Sequence, residues 1–409
     1  MAGSTIDHMV ALTVFLGALL LFIGLFNQTI QTAVLYQNHR YIASKCMDLL
    51  DNVLLSPGYP TSWGTSNSAP TSFGLQDPEF TQYRLSPFSL MRLNSLTGDP
   101  VYYPKTGKTY SNITMGFGNF LMVPYNQVVN YSTASRLLGT NGSYGFQLSV
   151  IPIVAVSISE FKTSNPLILA INVTGRGFPL SNAILSYCFL TVEVKGGEES
   201  FPSYTTAYGN AYTDDEGKAF LQFDEVTRDT TSYAVIVYAH LSGLTGLGYY
   251  QRLLDKKQFI IPFIDDFEER RVLVAHSYDV HYFGPPSAAL FYNATFVLLT
   301  EDFTLREMPI ENSTGKVGKV VYGEGWPYGV LTIPTANPGI LIVTYRKGNE
   351  AGIVMVPWGI SSMAFIVTFG ENVSGREWVA TDIREVIVNN VAYQAKLALW
   401  SLKGYQVTG

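Results

Sequence analysis

Charge and sulfur are both scarce in this chain. Asp, Glu, Lys and Arg make up only 14% of its 409 residues, and the net charge is −6, whereas a soluble domain ordinarily carries about a quarter charged residues. No run of basic residues occurs, so the electrostatic footprint of a nucleic-acid binder is missing and no nucleic-acid partner is expected. Two cysteines, Cys46 and Cys188, are too few for a disulfide scaffold. They read as free core thiols in preference to one long-range bridge or an intermolecular link.

Histidine is scarce too, with only His8, His39, His240, His276 and His281. If 276–281 is a strand, Asp279 and His281 share a face that His276 does not, which leaves a three-ligand metal site unmade. Asp214, Asp215 and Glu216, and the acids near Asp265, lack the oxygen spacing of an EF-hand and read as solvated turns. Gly243-Leu-Thr-Gly246-Leu-Gly248 is rich in glycine but sits among strands with no βαβ pattern, so it is not a phosphate loop. There is no G-x-S-x-G elbow and no cysteine with a helix-borne histidine partner. The expectation is a non-enzyme with no catalytic residue, no cofactor and no metal.

What the chain does have is an apolar start. Met9 to Phe26 contains no charged residue, and its eighteen residues at a 1.5 Å rise span roughly 27 Å, about the thickness of a bilayer's hydrocarbon core. Twelve of them are Val, Leu, Ile or Phe and favour insertion by roughly 5 kcal/mol. A buried core helix has no need of such a run. A cleaved secretory signal would have a basic start and an early end, and neither is present.

The helical pattern continues past this span to about Leu55. Ile30, Val34, Tyr41, Ile42, Cys46, Leu49, Leu50 and Val53 recur in steps of three and four and predict one apolar stripe. The opposite face carries Gln28, Gln31, Gln37, His39, Lys45, Asp48 and Asp51. Ser4 with Asp7 three residues on has the form of a capping box, and Pro57 with Gly58 must end the helix. Few cationic residues flank the span, so orientation is read from eight Asn-x-Ser/Thr triplets, where chance gives about three or four. Asn27 lies too near the lipid to be modified. Asn112, Asn130, Asn141, Asn172, Asn293, Asn312 and Asn372 are the glycosylation candidates of an exported body.

The rest of the chain divides by composition. Residues 58–148 are rich in Pro, Gly and aromatics and predict a wrapped, turn-filled segment, with a short helix from Asn126 to Leu138 closed by Gly139. Tyr144, Phe146, Leu148 and Val150 alternate as the first strand of a sheet, and beyond Ser149 the period is two, in short β-branched or aromatic runs that include Arg271 to His276, Ile340 to Tyr345 and Ala364 to Phe369, separated by turn residues. The pattern predicts a β-sandwich over 149–264 and, after the acidic hinge Asp265–Glu269, a second over 265–409 that ends in a hairpin turning at Asn389-Asn390. The predicted fold class is α+β: a long N-terminal transmembrane-plus-amphipathic helix over 1–57, a Pro/Gly-rich segment, and two mainly antiparallel Ig-like modules.

Two resemblances add to this reading. Gly177-Phe-Pro-Leu-Ser-Asn-Ala183 followed by Thr213-Asp-Asp-Glu-Gly-Lys-Ala219 resembles Ig-like domains of the carboxypeptidase-regulatory type. A membrane-entering helix that continues as an amphipathic rod and then carries a β-rich head is similar to the type IV pilin and pseudopilin class, especially its archaeal surface members. That resemblance implies cleavage by a prepilin peptidase between Ala2 and Gly3, which would place Asp7 at the fifth mature position to neutralise a neighbour's terminal amine. It also implies a structural surface subunit whose partners are membrane lipid and further copies, or other pilin-like subunits. Asp7, Gly17, Gly24, Ile30, Val34, Tyr41 and Leu49 would be the assembly residues. The main alternative is a non-polymerising, single-pass envelope protein or adhesin. A third reading is carbohydrate contact through exposed Tyr and Trp. If the resemblance holds, mass spectrometry of purified protein should find Gly3 at the amino terminus; finding Ala2 there, after loss of Met1 alone, would count against processing.

Overall fold

The computed structural model describes residues 2–402, apart from 94–96, 115–119, 164, 198–199, 225, 227–231, 253–257, 282–288, 301–302, 311–315, 324–326 and 360–364. One helix, Ala2–Leu55, takes up its first 54 residues and is about 81 Å long at 1.5 Å per residue. The helix is already formed at Ala2, so Ser4 and Asp7 lie within its first turns and do not cap it from outside. It stops where Pro57 removes a donor and Gly58 adopts φ +78, a conformation that favours glycine. Space also requires glycine here, because a Cβ on Gly58 would lie 2.5 Å from the Ser72 carbonyl oxygen. Within the helix, Thr13, Thr29 and Thr32 donate their hydroxyls to the carbonyls four residues back, at 2.8–2.9 Å. No side-chain hydroxyl among these three needs water, as an apolar medium demands.

The remainder is built from antiparallel sheets. A six-stranded sheet runs Thr97–Tyr103, Lys108–Thr114, Phe120–Pro124, Ile260–Asp266, Arg271–His276 and Tyr328–Thr332. An eight-stranded sheet covers 154–252 and runs from Lys218–Phe223 at one edge to Ser203–Tyr212 at the other. A five-stranded sheet centres on Leu290–Leu299 and Gly339–Lys347, and a four-stranded sheet joins Val367–Gly370, Tyr144–Pro152, Val391–Ser401 and Ala380–Val388. Among the described strands, two pairings are parallel, at Leu247 with Ala155 and at Phe263 with Met122.

Several sequence expectations meet a different pairing. Tyr144–Pro152 does not open the eight-stranded sheet. It hydrogen-bonds along its length to Val391–Ser401, because Phe146, Leu148 and Val150 complete the core that Leu397, Leu399 and Ala395 begin. The acidic run at Asp265 is not a hinge but the turn of the hairpin Ile260–Asp266 with Arg271–His276. The helix expected over 126–138 divides into a short turn, Tyr125–Gln127, and a helix, Tyr131–Leu137, because Asn130 takes an extended backbone and accepts the Thr133 N–H as N-cap. Ser277–His281 is a helical turn and not a strand. The run Gly243–Gly248 enters the strand Leu244–Arg252. A Cβ on Gly246 or Gly248 would meet Val154 or Val156 at 2.5 Å, so these glycines admit a neighbouring strand and not a phosphate. The start of the expected strand at Ala364 lies outside the described residues.

The segment after the helix folds onto the head through its aromatics. Trp63 is fully buried and its indole N–H donates to Pro57 and Gly74 carbonyls at 2.9 and 3.2 Å. Phe88 packs edge-on against Trp358, and Phe73 stacks with Phe369. Arg92 is also fully buried, and it donates to the carbonyls of Ser66, Ser68 and Gln127 at 2.8–2.9 Å. Burial pushes its pKa down to about 10, which leaves it a cation at neutral pH, with the Trp63 ring 5.4 Å away.

Asp265 joins three parts of the six-stranded sheet. Its carboxylate accepts from Lys108 at 2.6 Å, Arg271 at 2.7 Å and Tyr110 at 3.0 Å. Burial alone would raise its pKa, but the hydrogen bonds from Lys108, Arg271 and Tyr110 outweigh it and hold the carboxyl below its ordinary value. Since the folded pKa is the lower one, the stabilisation is present above about pH 5 and is lost as acid titrates the group. Asp265→Asn should cost about 2 kcal/mol at pH 7 and flatten the acid limb of the stability curve, measured by urea unfolding from pH 7 to pH 3.

Candidate functional site

The helix has two faces with different fates. At roughly 100° per residue, Ile42, Cys46, Leu50 and Val53 share one side, and all four are at most 4% exposed. They seat on the C-terminal hairpin Ala380–Val388 with Val391–Ser401. The Cys46 thiol lies 3.4 Å from the Leu397 carbonyl and 3.7 Å from that of Ala380. Burial, followed by the nearby Asp382 charge, pushes its pKa up to about 12. His39 stacks on Trp378 at 4.1 Å with nearly parallel rings, and Lys45 lies 4.8 Å from the Tyr144 ring. At the lower end Arg384 grips Asp51 with two bonds, at 2.9 and 3.1 Å. Tyr83 donates to the same carboxylate at 3.2 Å, and Arg384 also meets Asp382 at 2.7 Å. The hydrogen bond to Asp51 raises the Arg384 pKa further, so the guanidinium is charged at every working pH.

The hairpin that receives the helix is shaped by its own sequence. Asn389 and Asn390 both take positive φ, +45 and +67, which is the geometry of a two-residue hairpin turn that asparagine tolerates. Past that turn Val391, Tyr393, Ala395, Leu397 and Leu399 alternate into the core. Both cysteines are free and buried.

The other face is uncovered. Every residue of Met9–Phe26 is exposed, with none of the span buried inside the protein. The helix is long and apolar enough to cross a membrane. Asp7 is exposed near its start, and a Cβ added at Gly17 or Gly24 would meet nothing within 4 Å. Ile30, Val34 and Tyr41 are 46%, 44% and 59% exposed, and they point roughly 130° around the helix from the seat. Leu49 belongs to the other group: it is half-buried against the protein's own core. The apolar stripe read from sequence is thus two stripes. Leu35 was missed and His39 was assigned to the opposite polar face; both are half-buried and extend the seated stripe in a 35-39-42-46-49-53 spacing of alternating fours and threes. That heptad was the signal that could have found them. No sequence signal pointed to Arg384 or Trp378.

The glycosylation candidates fall in three groups. Asn141 and Asn172 are exposed. Asn130 and Asn372 are exposed but spend their carbonyl oxygens locally, Asn130 on Ser132 and Thr133 and Asn372 on Ser374. Asn112 and Asn293 sit half-buried in strands, and Asn312 lies outside the described residues. Ala2 and Gly3 form the first turn of the helix.

Asp214 and His276, both singled out in the sequence, make local hydrogen bonds. Asp214 caps the turn before Lys218 by accepting the Glu216 and Lys218 N–H groups, with Gly217 at φ +72. His276 is buried and accepts the Tyr278 N–H at 3.1 Å. Among the described residues no group of three or more His, Cys, Asp or Glu is placed to hold a metal.

Comparison with known proteins adds little. The sequence matches no family model and no curated protein. Among solved structures it is similar to red sea bream transglutaminase at 10% identity and a TM-score of 0.18, covering 61% of this chain and 37% of that one. It is similar to trypsin-activated alpha-2-macroglobulin from Escherichia coli at 12% identity and a TM-score of 0.20, covering 68% and 20%. A Salmonella alpha-2-macroglobulin gives 8% identity and a TM-score of 0.19, covering 56% and 17%. The chain spans about a third of the transglutaminase and a fifth of the macroglobulins, and likenesses this slight bear on neither fold nor function.

The seat has a built-in reporter in Cys46. N-ethylmaleimide should leave Cys46 unmodified in native protein at pH 7.5, as read by peptide mass spectrometry. Leu50→Ala, at about 3 kcal/mol of lost packing, should speed its labelling on the order of a hundredfold.

Proposed function

We propose that this protein is a membrane-anchored surface subunit of the pilin-like class, one that assembles through the free face of its helix and presents a β-rich head outside the cell. The observation that carries this reading is the uncovered helix: Met9–Phe26 is exposed on every side, and Ile30, Val34 and Tyr41 stay exposed on the side turned away from the seat. Lipid covers 9–26 in this reading, and Ile30, Val34 and Tyr41, which lie beyond the bilayer, are covered by another helix. Gly17 and Gly24 give notches where a second backbone can approach closely. Asp7 next to lipid is costly alone and tolerable when paired with a neighbour's amine, which supports its role in stacking.

The head is read as Ig-like. Support comes from the eight-stranded sheet, where Leu169, Ile171 and Leu221 from one flank share a core with Leu185, Phe189 and Val235 from the other. Exposed Asn141 and Asn172 are the sequons best placed for sugar attachment.

A second reading, an anchored protein that never polymerises, is favoured by one observation: the seat side of the helix is already filled by the protein's own hairpin. Native mass spectrometry in mild detergent separates the two. Assembly predicts oligomers that Val34→Asp and Tyr41→Asp reduce to monomers with no change in thermal midpoint. Monomeric wild-type protein would leave only the non-polymerising anchor.

A further inference from the structure

One edge of the eight-stranded sheet lacks the devices that usually protect an edge. Ser203–Tyr212 is ten residues long, pairs along its whole length with Ile184–Glu193, and has no described strand on its other side. Charge, proline, bulges and shortness are what keep an exposed strand from pairing with another chain, and this strand has none of them. Every other described edge has at least one. Thr97–Tyr103 carries Pro100, Lys218–Phe223 begins on Lys218, Glu350–Trp358 contains Pro357, Ala380–Val388 contains Arg384, and the rest have five residues or fewer.

The register shows which backbone groups this edge offers. Thr213 donates its N–H to the Ala183 carbonyl, and hydrogen-bonded pairs alternate along an antiparallel ladder. Odd-numbered residues of the strand therefore turn their N–H and C=O groups toward Ile184–Glu193, while Tyr204, Thr206, Tyr208, Asn210 and Tyr212 turn theirs outward. Among the described residues no backbone bond reaches these groups from that side, and residues 205–208 are exposed. Side chains on one face hold the strand in place: the Tyr204 hydroxyl donates to Glu307 at 2.6 Å, and the Tyr208 hydroxyl accepts the Leu305 N–H at 3.4 Å. The edge is thus preformed, and a partner has little to order on arrival.

Residue order along the strand identifies that partner. Outward from Tyr208 the strand is nearly the same in both directions: Ala207 and Gly209 are small, Thr206 and Asn210 are polar and uncharged, Thr205 and Ala211 are short, and Tyr204 and Tyr212 are aromatic. A foreign strand requires no such symmetry. Two copies related by a two-fold axis do, because residue i then meets j and j meets i. Tyr208 is also the middle of the outward-turned set, so an axis through it pairs every outward backbone group. We propose that Ser203–Tyr212 pairs antiparallel with the same strand of a second copy, Thr206 opposite Asn210 and Tyr204 opposite Tyr212. A lone strand pair covers less than the ~1,200 Å² of a stable interface, so the contact forms between crowded copies and dissociates in dilute detergent. It does not depend on how the helix assembles.

Cross-linking of the full-length protein, concentrated in detergent, tests this, with Val34→Asp and Tyr41→Asp present in every sample so that helix contacts do not report. Mixed Thr206→Cys and Asn210→Cys proteins, treated with a short bismaleimide, should join about tenfold faster than either variant joins itself, since facing side chains of a strand pair lie about 5 Å apart. Cys46 and Cys188 are buried and stay out of the reaction. Adding Thr206→Pro to the Asn210→Cys protein removes an outward N–H and none that Ile184–Glu193 uses. The mixed product should then form no faster than the unmixed ones, while the thermal midpoint holds. Equal rates for mixed and unmixed samples overturn the proposal, and so does a mixed product indifferent to Thr206→Pro. Neither result bears on helix assembly, which the two aspartates have already removed.

Discussion

Four side chains and one ion pair fasten the helix to everything that follows it. Ile42, Cys46, Leu50 and Val53 are sealed against the C-terminal hairpin, and Asp51 is gripped by Arg384 from the same hairpin. Because the helix is continuous from Ala2 to Leu55, fixing its last five turns fixes the direction of the first five. The apolar span has no freedom to fold back onto the head, and its exposure is a consequence of that rigidity.

The helix itself was legible in the sequence. Its length follows from the unbroken run to Leu55 and the Pro57–Gly58 stop, and the turn at Asn389-Asn390 follows from the two residues that tolerate positive φ. Strands such as Arg271–His276 and Gly339–Lys347 were legible from β-branched runs. Which strand pairs with which was not. Tyr144–Pro152 finds its partner some 250 residues downstream, a choice made by core complementarity that no local pattern encodes. The same limit applies to the helix: a step of three or four shows that residues share a face, and it leaves open which face another part of the chain will cover. Leu49 and Val34 look alike in sequence and part company only when the hairpin arrives.

Glycines show the limit from the other side. Gly246 and Gly248 invited comparison with a phosphate loop, yet their requirement comes from Val154 and Val156 on a parallel neighbour. A residue that is conspicuous by type can owe its identity wholly to a distant segment. Tyr238 is the converse case: nothing in Tyr233–Leu241 marks it, yet its buried hydroxyl has no hydrogen-bond partner among the described residues.

The seat joins residues more than 330 positions apart, as the Cys46 contacts with Ala380 and Leu397 show. A ribosome adding about 5–20 residues per second needs on the order of half a minute to travel that distance. Throughout that interval the nascent chain holds a helix whose sticky inner side is bare, while the strands meant to cover it do not yet exist. Biosynthesis of this molecule is therefore a waiting problem, and its completion depends on the arrival of the final two strands.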